Sequence, residues 1–332
     1  MSISSLNIPC IIDFHVHMPG QLSRNRSIDP ANNAKALLRE MNKLGVCKAV
    51  LIAIETNVDV FKYEVSKEKI YKGLEELVAE GYLALPGYLS KFLEDLDEFY
   101  EEHLNLLKIA HTPSEIVMEI ARDYGDGRIL PVIAPDLNQP RKTIIERTAR
   151  LLKEGALGIK LLPTINFIKG KHKEILEDLA ELLLSYNGLL IIHTGCDPGI
   201  WELPYFCKGA RPQRFEWLIR KYRDLIIVLA HMGAYSALKP GIFVHEAIEL
   251  VKRYDNVYGD TAALDRNIIE YIVSHVGAGR ILFGSDYPVV VGASWHSLVG
   301  EILSAKISSQ DKEKILYFNA RDVLRAIGRD KP

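Results

Sequence analysis

The sequence predicts an α/β fold, a (β/α)8 TIM barrel, on three observations. Short apolar runs rich in β-branched residues recur eight times, helical segments separate them, and polar residues arrive where several runs end. The runs are Cys10–His17, Cys47–Ile54, Ile129–Pro135, Ala156–Pro163, Leu189–Gly195, Leu225–Gly233, Val257–Ala263 and Ile281–Pro288. Most are continuous Ile, Val and Leu stretches without alternation, as strands buried on both faces require. Helical periodicity fills the intervals at Asn32–Leu44, Arg141–Glu154, Lys171–Ser185, Pro212–Tyr222, Phe243–Tyr254, Arg266–Val276 and Ser297–Ile307, and Gln310–Ile327 reads as a terminal helix. Such alternation means parallel strands joined by right-handed crossovers. An open, doubly wound sheet uses the same units; the count of eight and the residues at the strand ends favour closure. Residues 1–332 are read as one barrel domain.

The bulk numbers agree with a globular enzyme-sized chain. Of 332 residues, 48% are hydrophobic and 25% charged, the balance of a soluble protein with a substantial core. Net charge is −2, from 41 basic and 43 acidic residues, which argues against nucleic acid or an anionic membrane as partner. The N-terminus lacks the basic and apolar regions of a signal peptide, and no segment is long and apolar enough to span a bilayer. Four cysteines at irregular spacing, Cys10, Cys47, Cys196 and Cys207, suit a reducing cytoplasm better than a disulfide framework. The expected location is cytoplasmic and the expected partner a small molecule.

One connection is too long. Glu55–Arg128 separates the second and third runs where one helix would suffice, and it carries three helical patterns, Glu68–Gly81, Ser90–Ile109 and Pro113–Tyr124, with LALPGYL as a break. Its apolar residues, Tyr71, Leu74, Leu77 and Val78, then Phe92, Leu93, Leu96 and Phe99, need a surface to bury against. A helical insertion capping the barrel mouth is expected; a homo-oligomer interface is the rival use of the same faces.

The chemistry gathers at strand ends. Asp13-Phe14-His15-Val16-His17 closes the first run, and alternation along a strand puts His15 and His17 on one side. Two imidazoles so presented suit a borderline metal such as zinc. Ile191-Ile192-His193 ends the fifth run, Leu229-Ala230-His231 the sixth, and Phe283-Gly284-Ser285-Asp286 the eighth. A single histidine at a strand end is ordinarily a satisfied core or rim residue, and an aspartate there a turn or cap residue. Yet four of the ten histidines fall at the ends of three runs, at the end of a barrel where active sites lie. Coincidence would need all of them idle at once.

DFHVH (13–17), GIKLLP (158–163), IIHTG (191–195), LAHMG (229–233) and FGSDYP (283–288), in that order across nearly the whole chain, resemble the amidohydrolase superfamily. The likeness is to its "amidohydrolase 2" group, which includes metal-dependent hydrolases and decarboxylases similar to aminocarboxymuconate semialdehyde decarboxylase. The resemblance implies one divalent metal, zinc by preference, bound by His15, His17, His193 and Asp286, with His231 and Asp286 as the catalytic acid/base pair. Related binuclear enzymes carry a carboxylated lysine on the fourth strand, so Lys160 is read either as a binder of substrate or partner of Asp13, or as the bridge to a second metal. Asp13 is an orienter of the ligands or a buried ion-pair member.

Arg24 and Arg26, in the loop after the first run, are candidate grips for a substrate carboxylate, against an idle surface role. Trp201, with Tyr205 and Phe206, is a candidate wall for a flat substrate, as is Trp295, against loop packing. Cys196 is read as a small packing residue. The implied reaction is attack of metal-activated water on an amide, lactone or other ester carbonyl. The same site suits non-oxidative decarboxylation of an aromatic or unsaturated acid. A non-catalytic binding barrel is the remaining reading, and the full set of expected ligands argues against it.

Overall fold

In a computed structural model, described over residues 5–23, 28–81, 95–290 and 292–329, eight strands follow one another around a barrel. They are β1 Ile11–Val16, β2 Val46–Ile52, β3 Ile129–Ile133, β4 Gly158–Leu161, β5 Leu189–Gly195, β6 Ile227–Tyr235, β7 Val257–Asp260 and β8 Ile281–Leu282. All pair in parallel, in sequence order. The last strand closes on the first through Phe14 N–H to Phe283 O (2.7 Å) and Asp286 N–H to His15 O (2.8 Å).

The continuous apolar runs are explained by two buried layers. Ile12, Phe14, Ile52, Ile191 and Val228 cluster with Val323 and Leu324 of the terminal helix, whereas Ile11, Leu51, Ile192 and Leu229 share a second cluster with helix residues such as Leu37, Leu183 and Ile248. A strand with both faces so covered has no polar side to alternate. β8 is much shorter than its apolar run suggests. Beyond Leu282 the backbone leaves β7 to bond β1, and Asp286 adopts a left-handed φ of 61° that no regular strand accommodates.

Between β2 and β3 lie helices Val58–Glu64, Lys67–Ala79, Leu96–Ala110 and Ser114–Glu119, then a π-helical turn, Ile120–Tyr124. Asn57, Ser66 and Asp95 cap the first three by accepting backbone N–H groups of the first turn. The stripe buried by Lys67–Ala79 is Ile70, Gly73, Leu74 and Leu77. Tyr71 and Val78, expected on that face, are 51% and 41% exposed, because the stripe starts one residue earlier. Phe92, Leu93 and the LALPGYL break lie outside the described residues. Leu74, Leu77, Phe99 and Leu107 pack with Phe167, Trp201 and Phe206 from the loops after β4 and β5.

The cysteine expectation is corrected. Cys10 pairs with Cys47 and Cys196 with Cys207 as disulfides. Parallel register sets Ile11 opposite Val46, which brings the neighbouring Cys10 and Cys47 to a Cα separation of 5.7 Å; the turn after β5 returns Cys207 to 4.9 Å from Cys196. Cys196 is thus a staple of the loop after β5, and the cysteines give no ground for a reducing compartment. Among the described residues, no helix is long and apolar enough to cross a membrane.

Candidate active site

The strand ends bring His15, His17, Lys160, His193, His231 and Asp286 to one cavity of about 340 Å³. A register shift in β1 between Asp13 and Val16 lies within the His-Xaa-His segment. Close approach of β8 needs Gly284, where a Cβ would stand 2.8 Å from the Cβ of His15. His231 and Asp286 both hold left-handed backbone, φ 61° each, a strained state that surrounding bonds must maintain. Asp13 supplies part of that support. Its Oδ1 accepts the N–H groups of His15 (3.0 Å) and Ser285 (3.1 Å), and its Oδ2 accepts the indole N–H of Trp295 (2.7 Å). Trp295 therefore packs beneath the site.

Backbone and carboxylate partners fix the imidazole tautomers. Nδ1–H of His15 donates to Asp260 Oδ2 (2.9 Å), that of His17 to Ile52 O (3.2 Å) and that of His231 to Ala262 O (2.9 Å). Their Nε2 lone pairs are left facing the centre. There, Asp286 Oδ1 lies 3.3 Å from His15 Nε2 and 3.2 Å from His17 Nε2. His193 Nε2 is buried with no hydrogen-bond partner; Asp197 Oδ2, 3.3 Å away, lies outside bonding geometry. Lone pairs crowded on a carboxylate repel unless a cation sits among them. Separations of 3.2 and 3.3 Å also match the edge of a tetrahedral site, about 3.3 Å for zinc bonds near 2.05 Å. The donor set fits a divalent metal. One compact group, with ligand atoms all within 4.8 Å of one another, is His15, His231 and Asp286, so His231 stands as close to the centre as the expected ligands.

The electrostatics follow from burial. Desolvation, with the charge of Lys160 second, holds the His15 imidazole well below its ordinary pKa and His193 at about 3. Burial and the neighbouring His193 lower His231 to about 4. Burial pushes the Lys160 ammonium down to about 8, against the pull of Asp260, Asp286 and Asp197. Burial opposes ionisation of Asp286, but His17, His15 and His231 outweigh it and keep this carboxyl below the usual range. Lys160 is 1% exposed, and its Nζ lies 3.2 Å from His15 Nε2.

Asp260, Asp197 and Tyr235 escaped the sequence reading. Asp260 accepts the N–H groups of His231 (2.7 Å) and Ala262 (3.1 Å) besides the His15 bond, so it steers two histidines at once. Its signal was an acid at the end of an apolar run, Val257-Tyr258-Gly259-Asp260, the logic already applied to Asp286. Tyr235 stacks on His231 with centroids 4.7 Å apart, two residues beyond the expected end of β6. Trp201 lines the cavity and also packs with Phe61 and Phe206. Arg24 and Arg26 lie outside the described residues. Leu106, Leu107 and Ala110 of helix Leu96–Ala110 line the cavity that the imidazoles share.

The profile of the amidohydrolase family matches residues 94–326. The chain belongs to the amidohydrolase family. It is an enzyme of that metal-dependent superfamily, and its solved relatives share the barrel. An uncharacterised TIM-barrel protein from Bordetella bronchiseptica superposes with a TM-score of 0.63 at 18% identity, over 96% of this chain and 99% of that one. A probable 2-pyrone-4,6-dicarboxylic acid hydrolase from Acinetobacter baumannii gives 0.59 at 12%, over 96% and 100%. A 2,6-dihydroxybenzoate decarboxylase from Rhizobium gives 0.55 at 15%, over 97% and 100%. A zinc-bound amidohydrolase from Burkholderia multivorans gives 0.55 at 13%, over 96% and 99%. No curated protein matches the sequence.

Proposed function

We propose that this amidohydrolase opens an ester, lactone or amide bond of a small molecule with water. The observation carrying the reading is the ionised Asp286 set between two imidazoles of fixed tautomer and facing a third. His15, His17, His193 and Asp286 would hold one divalent metal, zinc by preference, with His231 beside them. That ion supplies Lewis-acid polarisation of the carbonyl and a more acidic water.

The chain's own groups supply the proton handling. Asp286 accepts the proton of the attacking water, since its carboxyl stays ionised. His231 was expected as one of the catalytic acid/base pair. Its Nδ1–H is occupied by Ala262 O and its ring is neutral, so Nε2 enters the cycle as a proton acceptor and relay to the departing oxygen or nitrogen. Tyr235, whose hydroxyl burial keeps protonated, is the donor to the developing oxyanion. Lys160, in contact with His15, stays uncarboxylated, and its ammonium sets the field of the centre. Non-oxidative decarboxylation, the other reaction these residues suit, would need an acid at the carbon, and the neutral imidazoles leave that part to Tyr235 or Lys160.

Relatives of this fold are named for both reactions, so turnover decides. Metal content and a screen of lactones, esters, amides and aromatic acids are the experiment. Hydrolysis with about one metal per chain supports the reading, and release of CO2 from an acid with no hydrolysis overturns it. Asp286→Ala is expected to lose turnover and metal together, and His231→Ala to lose turnover by about 10²–10⁴-fold with metal retained. Equal metal loss in both would move His231 into the ligand set.

A further inference from the structure

Two walls of the cavity come from different connections of the barrel. Leu106, Leu107 and Ala110 belong to helix Leu96–Ala110, between β2 and β3, and Pro198 and Trp201 to the segment after β5. Around their joint the walls meet through apolar groups, Phe99, Leu104 and Leu107 against Ile200, Trp201 and Phe206. Contacts of that kind fix a separation poorly, since apolar side chains tolerate repacking. One bond across the joint is directional. The buried backbone N–H of Ile200 donates to His103 Nε2 (3.1 Å), and Nδ1–H of the same ring donates to Phe99 O one helical turn back (2.9 Å). An amide N–H can only donate and a carbonyl can only accept, so the two partners fix the tautomer. Burial holds this imidazole below its ordinary pKa, and the Phe99 ring meets it edge-on at 4.2 Å. The turn comes so close because residue 199 is glycine: its φ is +90°, and a Cβ there would overlap His103 Nε2. His103 is buried and stands behind the cavity wall rather than in it.

We propose that His103 is a positioning residue for the substrate wall. By holding Ile200 it sets the gap between helix Leu96–Ala110 and Trp201, and with it the size of acyl group the cavity admits. The acyl group rests on the hydrolase reading of the same cavity; the placing of the wall does not. Three variants separate the parts. His103→Gln keeps an acceptor, its amide oxygen, within reach of Ile200 N–H; His103→Leu leaves that buried N–H unpaired; Gly199→Ala forces ring and turn apart. The chain has three tryptophans: Trp201 in the wall, Trp295 beneath the site and Trp217 on helix Glu216–Lys221. Fluorine NMR of zinc-loaded protein labelled with fluorotryptophan therefore reports each place separately, with Trp201→Phe for assignment. In the Leu and Ala variants the Trp201 resonance should shift and broaden while that of Trp295 stays, which also shows the fold intact. In the Gln variant both should keep the parent positions. Deuterium exchange of the Ile200 amide should quicken about 5–150-fold in the Leu variant, the loss of one buried hydrogen bond. Zinc affinity, read by competition with a chelator, should match the parent in all three. With p-nitrophenyl acetate and p-nitrophenyl hexanoate, the ratio of kcat/KM should move toward the longer ester by about tenfold or more in the Leu variant and return in the Gln variant. A Trp201 resonance that stays in place in the Leu variant, or moves as far in the Gln variant, overturns the proposal. So does movement of Trp295 with loss of zinc, or an ester ratio that ignores the bond. If Trp201 behaves as expected and neither ester turns over in any form, the hydrolase reading falls and the positioning of the wall stands.

Discussion

The floor and the roof of the candidate active site are held by different physics. The floor is polar and over-determined. Asp13 and Asp260 each accept three hydrogen bonds, and between them they tie β1, β6, β7 and the segment after β8 into one arrangement. The roof is apolar, with Leu107, Phe99 and Leu77 packed on Trp201 and Phe206. Directional bonds fix donor atoms to fractions of an ångström, which chemistry at a metal demands. Dispersion and burial tolerate repacking, which a wall that must fit a substrate can exploit. On this account a change in the floor alters the reaction, and a change in the roof alters what is bound.

The largest effect on metal binding should come from the floor. In Asp260→Asn the amide oxygen can still accept from His231 and Ala262, which sets its NH2 against His15 Nδ1. That nitrogen must then accept, and the proton moves to Nε2, the atom that would face a metal. Metal affinity should fall about 10–100-fold, read by competition with a chelator, while thermal unfolding of the metal-free protein changes little. Unchanged affinity would mean that the His15 tautomer is set elsewhere.

An effect on folding stability alone is expected where the roof is rooted. Glu55, at the end of β2, accepts both the N–H (3.0 Å) and the hydroxyl (2.5 Å) of Ser114, and Arg147 bonds it through two nitrogens (2.7 and 2.6 Å). Arg147→Ala leaves a buried carboxylate without its counter-ion and should cost about 2–3 kcal/mol in denaturant unfolding. Metal affinity should hold. Loss of metal in this variant would show that floor and roof are not separable.

Floor and roof also differed in legibility. That His15, His17, His193, His231 and Asp286 meet at one cavity could be read because each follows an apolar run, and a parallel barrel carries all run ends to one place. Asp260 was missed because its role depends on a contact with His15, 245 positions away in sequence. The Cys10–Cys47 pair was within reach, since both residues open consecutive runs that parallel pairing places side by side. On the roof, helices were legible from periodicity, but the buried stripe was assigned one residue out at Tyr71 and Val78, where the pattern alone could not say which neighbour would cover it. Apolar periodicity announces that a face is buried and not against what.

The last effect, confined to the pH dependence of stability, sits at the joint between the two regions. Glu202, in the turn Gly199–Glu202 that also carries Trp201, accepts the Ser236 hydroxyl (2.7 Å) and the N–H groups of Ala237 (2.5 Å) and Leu238 (3.4 Å) from the loop after β6. Burial raises its carboxyl from 4.5 to about 7 despite those bonds. The folded protein therefore binds more protons than the unfolded chain between those values, so this group's contribution to stability falls as pH rises through the window and is level on either side. At about 1.4 kcal/mol per unit, the fall is on the order of 3 kcal/mol. Glu202→Gln removes the titration and keeps the shape: the amide oxygen can accept from Ala237 and Leu238, and the NH2 can donate to Ser236. The variant's stability relative to the parent should rise between pH 4.5 and 7 and plateau above it, measured by urea unfolding at intervals of half a pH unit. A difference that stays flat across this window would show that Glu202 is already ionised in the folded protein, with the loop bonds outweighing burial.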